Sequence, residues 1–213
     1  MNTAHVPTAT VQRLPVYLRA LVSAQSQRIA VINSEQIAQM AGTNAAQVRK
    51  DLSYLGEYGV RGMGYDVNGL FKHLSRWLGL DRTRKAAIVG WGRLGSALLG
   101  YAGFQDRGVN IVAVFDSDPE KIGLVTENGL AVESTANLVD VLTREHVEIV
   151  MLAVPAGAAQ AVADAVVAAG VRAILNFAPV KLDVPEQVAV RQADVAAELQ
   201  ILSFHLASGE QAR

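Results

Sequence analysis

The sequence predicts an α/β chain in which a small helical domain precedes a doubly wound parallel sheet, with one further helix after the sheet. Three observations lead to this prediction. A glycine-rich turn joins two apolar runs between residues 86 and 116, apolar and helical patterns alternate after it, and helical patterns fill much of the segment before it. The chain has 213 residues, which is enough for two modest domains with cores of their own.

The glycine-rich turn has the spacing of a phosphate-binding loop. The apolar run Ala86 to Val89 leads into Gly90-Trp91-Gly92-Arg93-Leu94-Gly95, and a helical pattern follows. The first glycine permits a tight turn, the second lets the backbone approach a pyrophosphate, and the third lets the helix pack closely on the strand. The phosphates then lie at the N-terminus of a helix, where unpaired amides favour anions.

An acidic residue completes this pattern. The second apolar run, Ile111 to Phe115, ends on Asp116, about 20 residues past the last glycine. A carboxylate there can accept hydrogen bonds from both ribose hydroxyls and repels a 2′-phosphate, so the pattern predicts a site for NAD(H) rather than NADP(H). Glycines that only ease packing are the alternative, but they leave Asp116 unexplained.

Strands and helices are expected to alternate after this unit. The apolar patterns predict strands at 147–154, 172–177 and 188–190, and helices at 135–144 and 158–168. Such strands are typical of a parallel sheet, which binds ligands at the carboxyl ends of its strands. Pro155, Asn176, Phe177 and Ala178 follow two of these strands and are therefore candidates for the nicotinamide pocket. Ordinary loop residues without a ligand are the alternative.

The segment before the glycine turn predicts a helix-turn-helix. A helical pattern covers residues 11–24, with Pro15 in its first turn. Two shorter helices follow, the first at 35–40 with Ser34 as its cap and Gly42 at its end, and the second at 44–55 with Thr43 as its cap. Two short helices joined by a glycine-containing turn form this motif.

The second short helix has two distinct faces. Val48, Leu52 and Leu55 recur at helical spacing and form the buried stripe. The opposite face centres on Lys50 and also carries Ala46, Arg49, Ser53 and Tyr54. Such residues suit the major groove of DNA, where arginine or lysine pairs with guanine and alanine can contact a thymine methyl group. A solvated surface helix is the alternative.

A glycine-rich segment follows this helix. Residues 56–65 hold four glycines, which predicts a short β-hairpin with Arg61 at or near its tip. A hairpin after a recognition helix is the wing of a winged helix, and an exposed arginine can enter a narrow minor groove. A further helix at 69–78 closes the small core. We therefore predict a winged-helix DNA-binding domain at 1–80, a linker at 81–85, a Rossmann NAD(H)-binding domain at 86–193 and a C-terminal helix at 194–213.

The distribution of charge agrees with two domains that have different partners. Residues 1–85 carry eleven Lys and Arg against five Asp and Glu, whereas the remainder carries eight against fifteen. A basic domain suits a polyanion such as double-stranded operator DNA, although chance and solvated faces give the same asymmetry. The chain has no cysteine, no membrane-length apolar run and no secretory signal pattern, so we expect a cytoplasmic protein.

The last predicted helix is apolar on more than one side. Its apolar residues are Val195, Leu199, Ile201, Leu202, Phe204 and Leu206. A helix of this kind needs two surfaces to pack against, so we expect a homodimer element, with exchange between subunits as one arrangement. No catalytic set emerges elsewhere: no tyrosine is followed four positions later by lysine, and the histidines have no metal-ligand spacing. The sequence therefore predicts a protein that is not an enzyme and holds no metal.

These features together resemble the Rex family of redox-sensing transcriptional repressors over nearly the whole chain. The similar segments are Arg13-Leu14-Pro15-x-Tyr17-x-Arg19-x-Leu21, Gln47-Val48-Arg49-Lys50-Asp51-Leu52-Ser53-Tyr54, Gly59-x-Arg61-Gly62-x-Gly64-Tyr65, the Gly90–Gly95 turn, Phe115-Asp116-x-Asp118-Pro119-x-Lys121-x-Gly123, Asn176-Phe177-Ala178-Pro179 and Leu202-Ser203-Phe204. Two departures are Leu55, where the family usually has phenylalanine, and Trp91, which is bulky for its place in the glycine motif.

The resemblance implies a homodimer that binds operator DNA when NAD⁺ dominates and releases it when NADH rises, and it places Gln47 among the DNA-binding residues. Three residues are candidates for coupling the two ligands. Tyr101 comes one turn beyond Ala97 on the glycine-motif helix, near enough to the nicotinamide side to sense its redox state. Arg19 and Asp194 have opposite charges, and we expect them to pair across the dimer interface in the DNA-binding state only.

Two other classes of protein fit parts of the sequence. An NAD-dependent oxidoreductase with an N-terminal extension would share the glycine motif, but the chain has no catalytic acid–base pair and no substrate domain. A coenzyme A-binding module can use a similar turn, but coenzyme A carries a phosphate on the ribose that Asp116 would repel.

Overall fold

The computed structural model describes residues 6–56 and 64–211. The chain divides into two compact units, Met1–Arg82 and Thr83–Arg213. The first unit is mainly helical, and the second is built on a parallel sheet. The predicted α/β class, with a helical domain before a doubly wound sheet, is therefore confirmed.

The first unit packs its helices around one apolar core. Its described elements are α1 (Thr8–Ser26), β1 (Val31–Ile32), α2 (Ser34–Ala41), α3 (Ala45–Ser53), β2 (Tyr65–Asp66) and α4 (Val67–Trp77). Leu14, Ile37 and Leu70 are among the fully buried side chains of the core. Residues 57–63 of the predicted hairpin, including Arg61, lie outside the described residues. The strand that follows them, β2, pairs antiparallel with β1, which the sequence patterns did not predict.

The caps of the two short helices differ from the predicted ones. Asn33, rather than Ser34, caps α2: its side chain accepts a hydrogen bond from the Gln36 amide, and the Gln36 side chain accepts one from the Asn33 amide. Asn44, rather than Thr43, caps α3. Asparagine is as good a cap as serine or threonine, so composition alone does not choose between neighbouring candidates.

Pro15 lies well inside α1 and not in its first turn, contrary to the prediction. The helix begins at Thr8, behind the N-cap Pro7, and so extends beyond the predicted start at residue 11. A proline inside a helix cannot donate to the carbonyl four residues earlier. Burial of Leu14 and Tyr17 on either side of Pro15 stabilises the helix against this loss.

The second unit is built on a six-stranded parallel sheet. Its strands are β3 (Arg84–Val89), β4 (Val109–Asp116), β5 (Val132–Ser134), β6 (Ile149–Leu152), β7 (Ala173–Asn176) and β8 (Ala189–Gln192), arranged in the order β5-β4-β3-β6-β7-β8. The chain crosses the sheet between β5 and β6, so β3 and β6 are neighbours at the switch point, where open α/β sheets bind ligands. The short strand β5 was not predicted.

Helices cover both faces of this sheet. They are α5 (Arg93–Leu99), α6 (Leu138–Arg144) and α7 (Ala156–Ala168), with short 3-10 helices at Ala102–Arg107 and Thr135–Asn137. Alternate residues of β3 divide between the faces, as the pleat requires. Ala87 and Val89 pack with α6 and α7, whereas Ala86 and Ile88 pack with the end of α5.

The final helix, α8 (Val195–Gln211), exposes its apolar side chains. Between 51% and 71% of the surface is exposed at Val195, Leu199, Ile201, Leu202, Phe204 and Leu206. Burying such side chains is favourable, so a helix with this much exposed apolar surface has the properties of an interaction element. In the described part of the chain, no helix combines the length and the apolar character needed to cross a membrane.

Candidate functional site

The glycine turn lies at the carboxyl end of β3, beside the end of β6. Gly90 has a φ of +99°, and a β-carbon there would lie 2.5 Å from the Ala153 carbonyl oxygen. A β-carbon at Gly95 would collide with the Gly90 carbonyl oxygen, because α5 packs directly on the turn. Gly92, by contrast, faces open space and is the N-cap of α5. Two glycines thus permit close packing, and the third leaves the backbone accessible to a ligand.

Asp116 ends β4, and its carboxylate is hydrogen-bonded to the glycine turn. Its Oδ2 accepts from the Trp91 amide at 2.8 Å and from the Lys121 ammonium at 3.2 Å, and its Oδ1 accepts from the Asp118 amide at 2.9 Å. Burial alone would raise the pKa of Asp116, but the hydrogen bonds from Asp118, Lys121 and Trp91 outweigh it and hold the pKa below its usual range. A charged carboxylate is therefore fixed beside the turn.

Lys121 is a residue of this site that the sequence reasoning missed. Its ammonium lies 3.2 Å from Asp116 and 3.7 Å from the Asp118 carboxylate, and the hydrogen bond to Asp116 raises the pKa of Lys121. The preference for NAD(H) was inferred from Asp116 alone. The run Asp116-x-Asp118-Pro119-x-Lys121 could have indicated Lys121, because a turn after a strand brings the residues at the end of the turn back towards the strand.

The other cofactor candidates lie at the carboxyl ends of β6 and β7. Pro155 is exposed at the N-cap of α7, and Phe177 is partly buried. Asn176 is buried and uses its amide within the protein: it donates to the Gln192 side chain at 2.8 Å and accepts from the Ala178 amide at 3.0 Å. Asn176 therefore shapes the loop and Ala178 is buried in it, whereas Pro155 and Phe177 have surface available to a ligand.

The helix α3 presents the face predicted from the sequence. Val48, Leu52 and Leu55 are buried, as expected, and the exposed residues are Ala46, Arg49, Lys50, Ser53 and Tyr54. Arg49 is also held by the protein, since its Nη1 donates to Ser34 Oγ at 2.8 Å. Gln47 is partly buried, and its side-chain amide donates to Asp51 at 2.9 Å. Lys50 is therefore the exposed cation at the centre of this face.

A buried carboxylate on α3 was not singled out by the sequence reasoning. Asp51 accepts five hydrogen bonds of 2.6–2.9 Å from Thr10, Arg13, Tyr17 and Gln47. Burial alone would raise the pKa of Asp51, but these donors, with Arg13 foremost, lower it to about 2. The available signal was the spacing of Thr10, Arg13 and Tyr17, which places three donors on one side of α1.

The three candidates for redox coupling have side chains accessible to solvent. Arg19 is exposed on α1, and Asp194 accepts a hydrogen bond from an amide in the first turn of α8 at 3.0 Å. Tyr101 follows α5, and its ring contacts Phe104 edge-on with 5.0 Å between ring centroids. The Arg107 Nη1 donates to the Tyr101 hydroxyl at 3.2 Å. The ring of Tyr101 is therefore held in place although half of its surface is exposed.

Tyr101 also lines an open cavity of about 660 Å³. The cavity extends along Val109–Val112, the amino-terminal half of β4, whereas Asp116 lies at the carboxyl end of the same strand. Within one chain, Tyr101 therefore lies away from the edge at which parallel sheets bind ligands. This is because α5 runs back from the turn and carries Tyr101 towards the amino ends of the strands. The expected place of Tyr101 near the nicotinamide side stays a prediction.

Two family models match the chain. Residues 5–53 match a putative DNA-binding protein N-terminus, and residues 81–180 match a CoA binding domain. The first match covers α1 to α3. The second covers the glycine turn, Asp116 and Lys121.

Curated relatives match nearly the full length of the chain. The redox-sensing transcriptional repressor Rex of Streptomyces griseus is 50% identical over 200 residues, which cover 94% of this chain and 79% of the relative. The Rex repressor of Desulfitobacterium hafniense is 45% identical over 97% of this chain and 98% of its own length. The chain belongs to the Rex family.

Solved Rex structures have the same fold. The repressor RSP in complex with β-NAD⁺ and operator DNA aligns with a TM-score of 0.91 at 34% identity, over 97% of this chain and 94% of RSP. Its complex with β-NADH aligns with a TM-score of 0.87 at 33% identity, over 97% of each chain. The architecture of an N-terminal DNA-binding domain followed by a Rossmann-like parallel sheet is thereby confirmed. The prediction of a regulator rather than an enzyme is confirmed as well, because the relatives are named as repressors.

Alanine at Gly95 should destabilise this Rex protein, whereas alanine at Gly92 should not. The new methyl group at Gly95 collides with the Gly90 carbonyl oxygen, and overpacking of this kind costs about 1–3 kcal/mol. At Gly92 the methyl group faces open space and φ is −87°, so the free energy of unfolding should change by less than about 0.5 kcal/mol. Urea unfolding followed by circular dichroism measures both variants. Equal stability of the two would contradict the close packing of α5 on the turn.

Proposed function

We propose that this Rex protein is a transcriptional repressor that binds operator DNA as a homodimer and is released when NADH rises relative to NAD⁺. The proposal depends most on one observation: a single chain joins an exposed DNA-reading helix, α3, to a glycine turn that is hydrogen-bonded to a carboxylate. The relative RSP was solved with β-NAD⁺ and operator DNA and, separately, with β-NADH, which supports the same ligands for this chain. We place its action in the cytoplasm, where DNA and the dinucleotide pool are found together.

The dinucleotide is assigned to the glycine turn and to Asp116. Residues 90–95 would receive the pyrophosphate, with Gly92 as the point where the backbone is most accessible. The Asp116 carboxylate would accept hydrogen bonds from the ribose hydroxyls on the lone pairs that its donors within the protein leave free. Pro155 and Phe177 would contact the nicotinamide. When bound, NAD(H) supplies a ring whose charge differs between its oxidised and reduced forms. The protein's own residues would hold that ring at the edge of the sheet, and enzymes elsewhere would carry out the reduction.

Operator DNA is assigned to α3 and to the wing. Lys50 and Arg49 would act in the major groove and Arg61 in the minor groove, with Ala46, Ser53 and Tyr54 around them. Arg49 keeps donors for DNA beside its bond to Ser34, because a guanidinium has five N–H groups. Gln47 would contribute mainly through Asp51, to which its amide is bound.

The homodimer is assigned to α8. Its six exposed apolar residues would be covered by a second copy of the chain, because a symmetric pair buries the same surface on both partners. A dimer also suits an operator, since two DNA-reading helices at a fixed separation bind two half-sites. Arg19, Tyr101 and Asp194 would make the separation of the two DNA-reading helices depend on whether the bound cofactor is NAD⁺ or NADH. Because Tyr101 lies by the amino-terminal half of β4, we place it in the path of coupling rather than against the nicotinamide of its own chain.

A coenzyme A-binding module is the second candidate, because the match to a CoA binding domain covers residues 81–180. The charge and the fixed position of Asp116 oppose it, since the phosphorylated ribose of coenzyme A would meet a carboxylate there. An oxidoreductase would require a catalytic acid–base pair, and the sequence motifs do not supply one. Titration of NADH, NADPH and coenzyme A into the protein, with and without DNA, separates these candidates.

The preference for NADH over NADPH should narrow in Asp116→Ala. In the parent we expect a preference of at least about tenfold, because the carboxylate repels the 2′-phosphate. The variant removes this repulsion and leaves the Lys121 ammonium with only the Asp118 carboxylate beside it, so that it can attract the phosphate. Titrations followed by cofactor fluorescence measure both affinities. Lys85→Ala, which breaks a surface ion pair with Glu145, is the control and should keep the preference. Equal affinities of the parent for NADH and NADPH would contradict the assignment of Asp116.

Lys50→Ala should weaken operator binding by about 1–3 kcal/mol, because a base-reading contact is lost. The probe is the duplex that the parent binds most tightly from a random library, and fluorescence anisotropy measures the affinity. NADH should release this duplex, whereas NAD⁺ and coenzyme A should not. Lys72→Ala removes an exposed cation from α4 and should have a smaller effect. If Lys50→Ala binds the duplex as tightly as the parent, the orientation assigned to α3 is wrong.

Asp194→Asn should weaken operator binding and leave NADH binding nearly intact, if the Arg19–Asp194 pair belongs to the DNA-binding state. Asparagine keeps an oxygen that can cap α8 and removes only the charge, so an effect on the helix itself is avoided. Arg19→Gln should have the same effect, and the double variant should be no worse than either single variant. Unchanged operator binding in Asp194→Asn, with normal release by NADH, would exclude the pair.

A further inference from the structure

Asp51 is a buried carboxylate on the DNA-reading helix, and apart from its hydrogen bond with Gln47 the proposed function does not use it. Its surface is 0% exposed. Thr10 Oγ1, Arg13 Nη2 and Gln47 Nε2 donate to its Oδ1 at 2.9, 2.7 and 2.9 Å. Arg13 Nε and Tyr17 Oη donate to its Oδ2 at 2.6 and 2.7 Å. Each carboxylate oxygen is therefore held by at least two donors.

These five residues, which we name the Asp51 cluster, join α1 to α3. Thr10, Arg13 and Tyr17 lie on α1, whereas Gln47 and Asp51 lie on α3. Along its length α1 packs mainly against α2 and α4, and α3 packs mainly against α2. The cluster is therefore a direct polar connection between the first helix and the DNA-reading helix.

The cluster restricts a movement that apolar packing leaves open. Val48 and Leu52 hold α3 in the core through hydrophobic contacts, which have no preferred direction. Side-chain ends lie about 5–6 Å from a helix axis, so a rotation of about 20° moves them by about 2 Å. Hydrogen-bond lengths vary by only about 0.5 Å. Five short bonds to one carboxylate therefore limit the rotation of α3 far more narrowly than the apolar contacts do.

The rotation of α3 decides where Lys50 points, because Lys50 is next to Asp51. Consecutive residues of a helix point about 100° apart. With the Asp51 carboxylate directed at α1, the directions of Lys50 and of Ala46 and Ser53 on the exposed face are set. A base edge is read only within a narrow range of side-chain positions, whereas contacts with phosphates are independent of sequence. The rotation therefore affects discrimination between sequences more than total affinity.

We propose that the Asp51 cluster is a positioning device that sets the rotation of the DNA-reading helix and thereby the discrimination between operator and other DNA. Thr10, Arg13 and Tyr17 are positioning residues, since they act through Asp51. The proposal rests on the proposed function, because it takes α3 as the helix that reads DNA.

Tyr17→Phe is the main test, because it removes one donor and keeps the buried ring. The full-length parent and its variants are titrated with two duplexes of equal length, namely the duplex that the parent selects from a random library and a scrambled version of it. The measured quantity is the ratio of the two affinities, at one salt concentration and well below the unfolding temperature. We expect the ratio to fall about tenfold in Asp51→Asn, as for the loss of one base-reading contact. In Tyr17→Phe and Thr10→Val it should fall by a smaller factor, while affinities for the scrambled duplex and for NADH stay nearly unchanged.

Gln25→Ala and Leu74→Val are the matched controls. Gln25 Nε2 donates to Asn68 Oδ1 at 2.8 Å, so Gln25→Ala removes a hydrogen bond of α1 that does not involve α3. Leu74→Val opens space in the same core and lowers stability while the cluster stays intact. Both should keep the parent's ratio. If Leu74→Val loses the ratio as Tyr17→Phe does, at a matched loss of stability, the effect is one of stability alone and the proposal is overturned.

The outcomes separate this proposal from the proposed function. A parent that selects no preferred duplex shows that the proposed function is wrong, and the positioning role falls with it. A parent with a clear preference that Tyr17→Phe and Thr10→Val both retain shows that the cluster has no positioning role, while the proposed function stands. If Asp51→Asn does not fold, these two variants decide the matter.

Discussion

The close approach of α5 to the turn before it is the constraint on which the candidate cofactor site depends. Because residue 95 has no side chain, the helix lies directly on the Gly90 carbonyl group. The Trp91 amide can then reach the carboxylate of Asp116 at the end of the neighbouring strand. The sheet brings the carboxyl ends of β3, β4 and β6 to one edge. The glycines let the backbone of the turn lie close to that edge, where it can hydrogen-bond to Asp116.

Two aspartates show how the same side chain serves opposite purposes in the two units. Hydrogen bonds lower the pKa of both carboxylates, so both stay charged although they are buried. Asp51 is surrounded by five bonds from its own protein and is fully enclosed, whereas Asp116 has fewer donors and 7% of its surface remains accessible. Asp51 is therefore suited to holding a helix in place, whereas Asp116 has an accessible side to which a ligand can bind. Family membership points to the same division, since the relatives are repressors that sense redox state.

Local patterns explain what could be predicted from the sequence. The glycine turn, Asp116 and the exposed face of α3 follow from spacing within a few turns of chain, and the structure has them as expected. The strand β5 has only three residues, which is too short for a periodic pattern. Asp51 and Thr10 are 41 residues apart, so only the packing of α1 beside α3 shows that they meet. The place of Tyr101 beside the amino-terminal half of β4 depends on the direction in which α5 leaves the turn, which local patterns do not give.

In the proposed repressor, one conformational equilibrium would link the cofactor site to the DNA-reading helix. Linkage requires that NADH and DNA change each other's affinity by the same factor, commonly about 5–150-fold for coupled sites. The direct measurement is the affinity for NADH with and without a saturating amount of the selected duplex, set beside the affinity for the duplex with and without NADH. The account predicts that both affinities fall, and by equal factors. An affinity for NADH that does not change when the duplex is bound would contradict it.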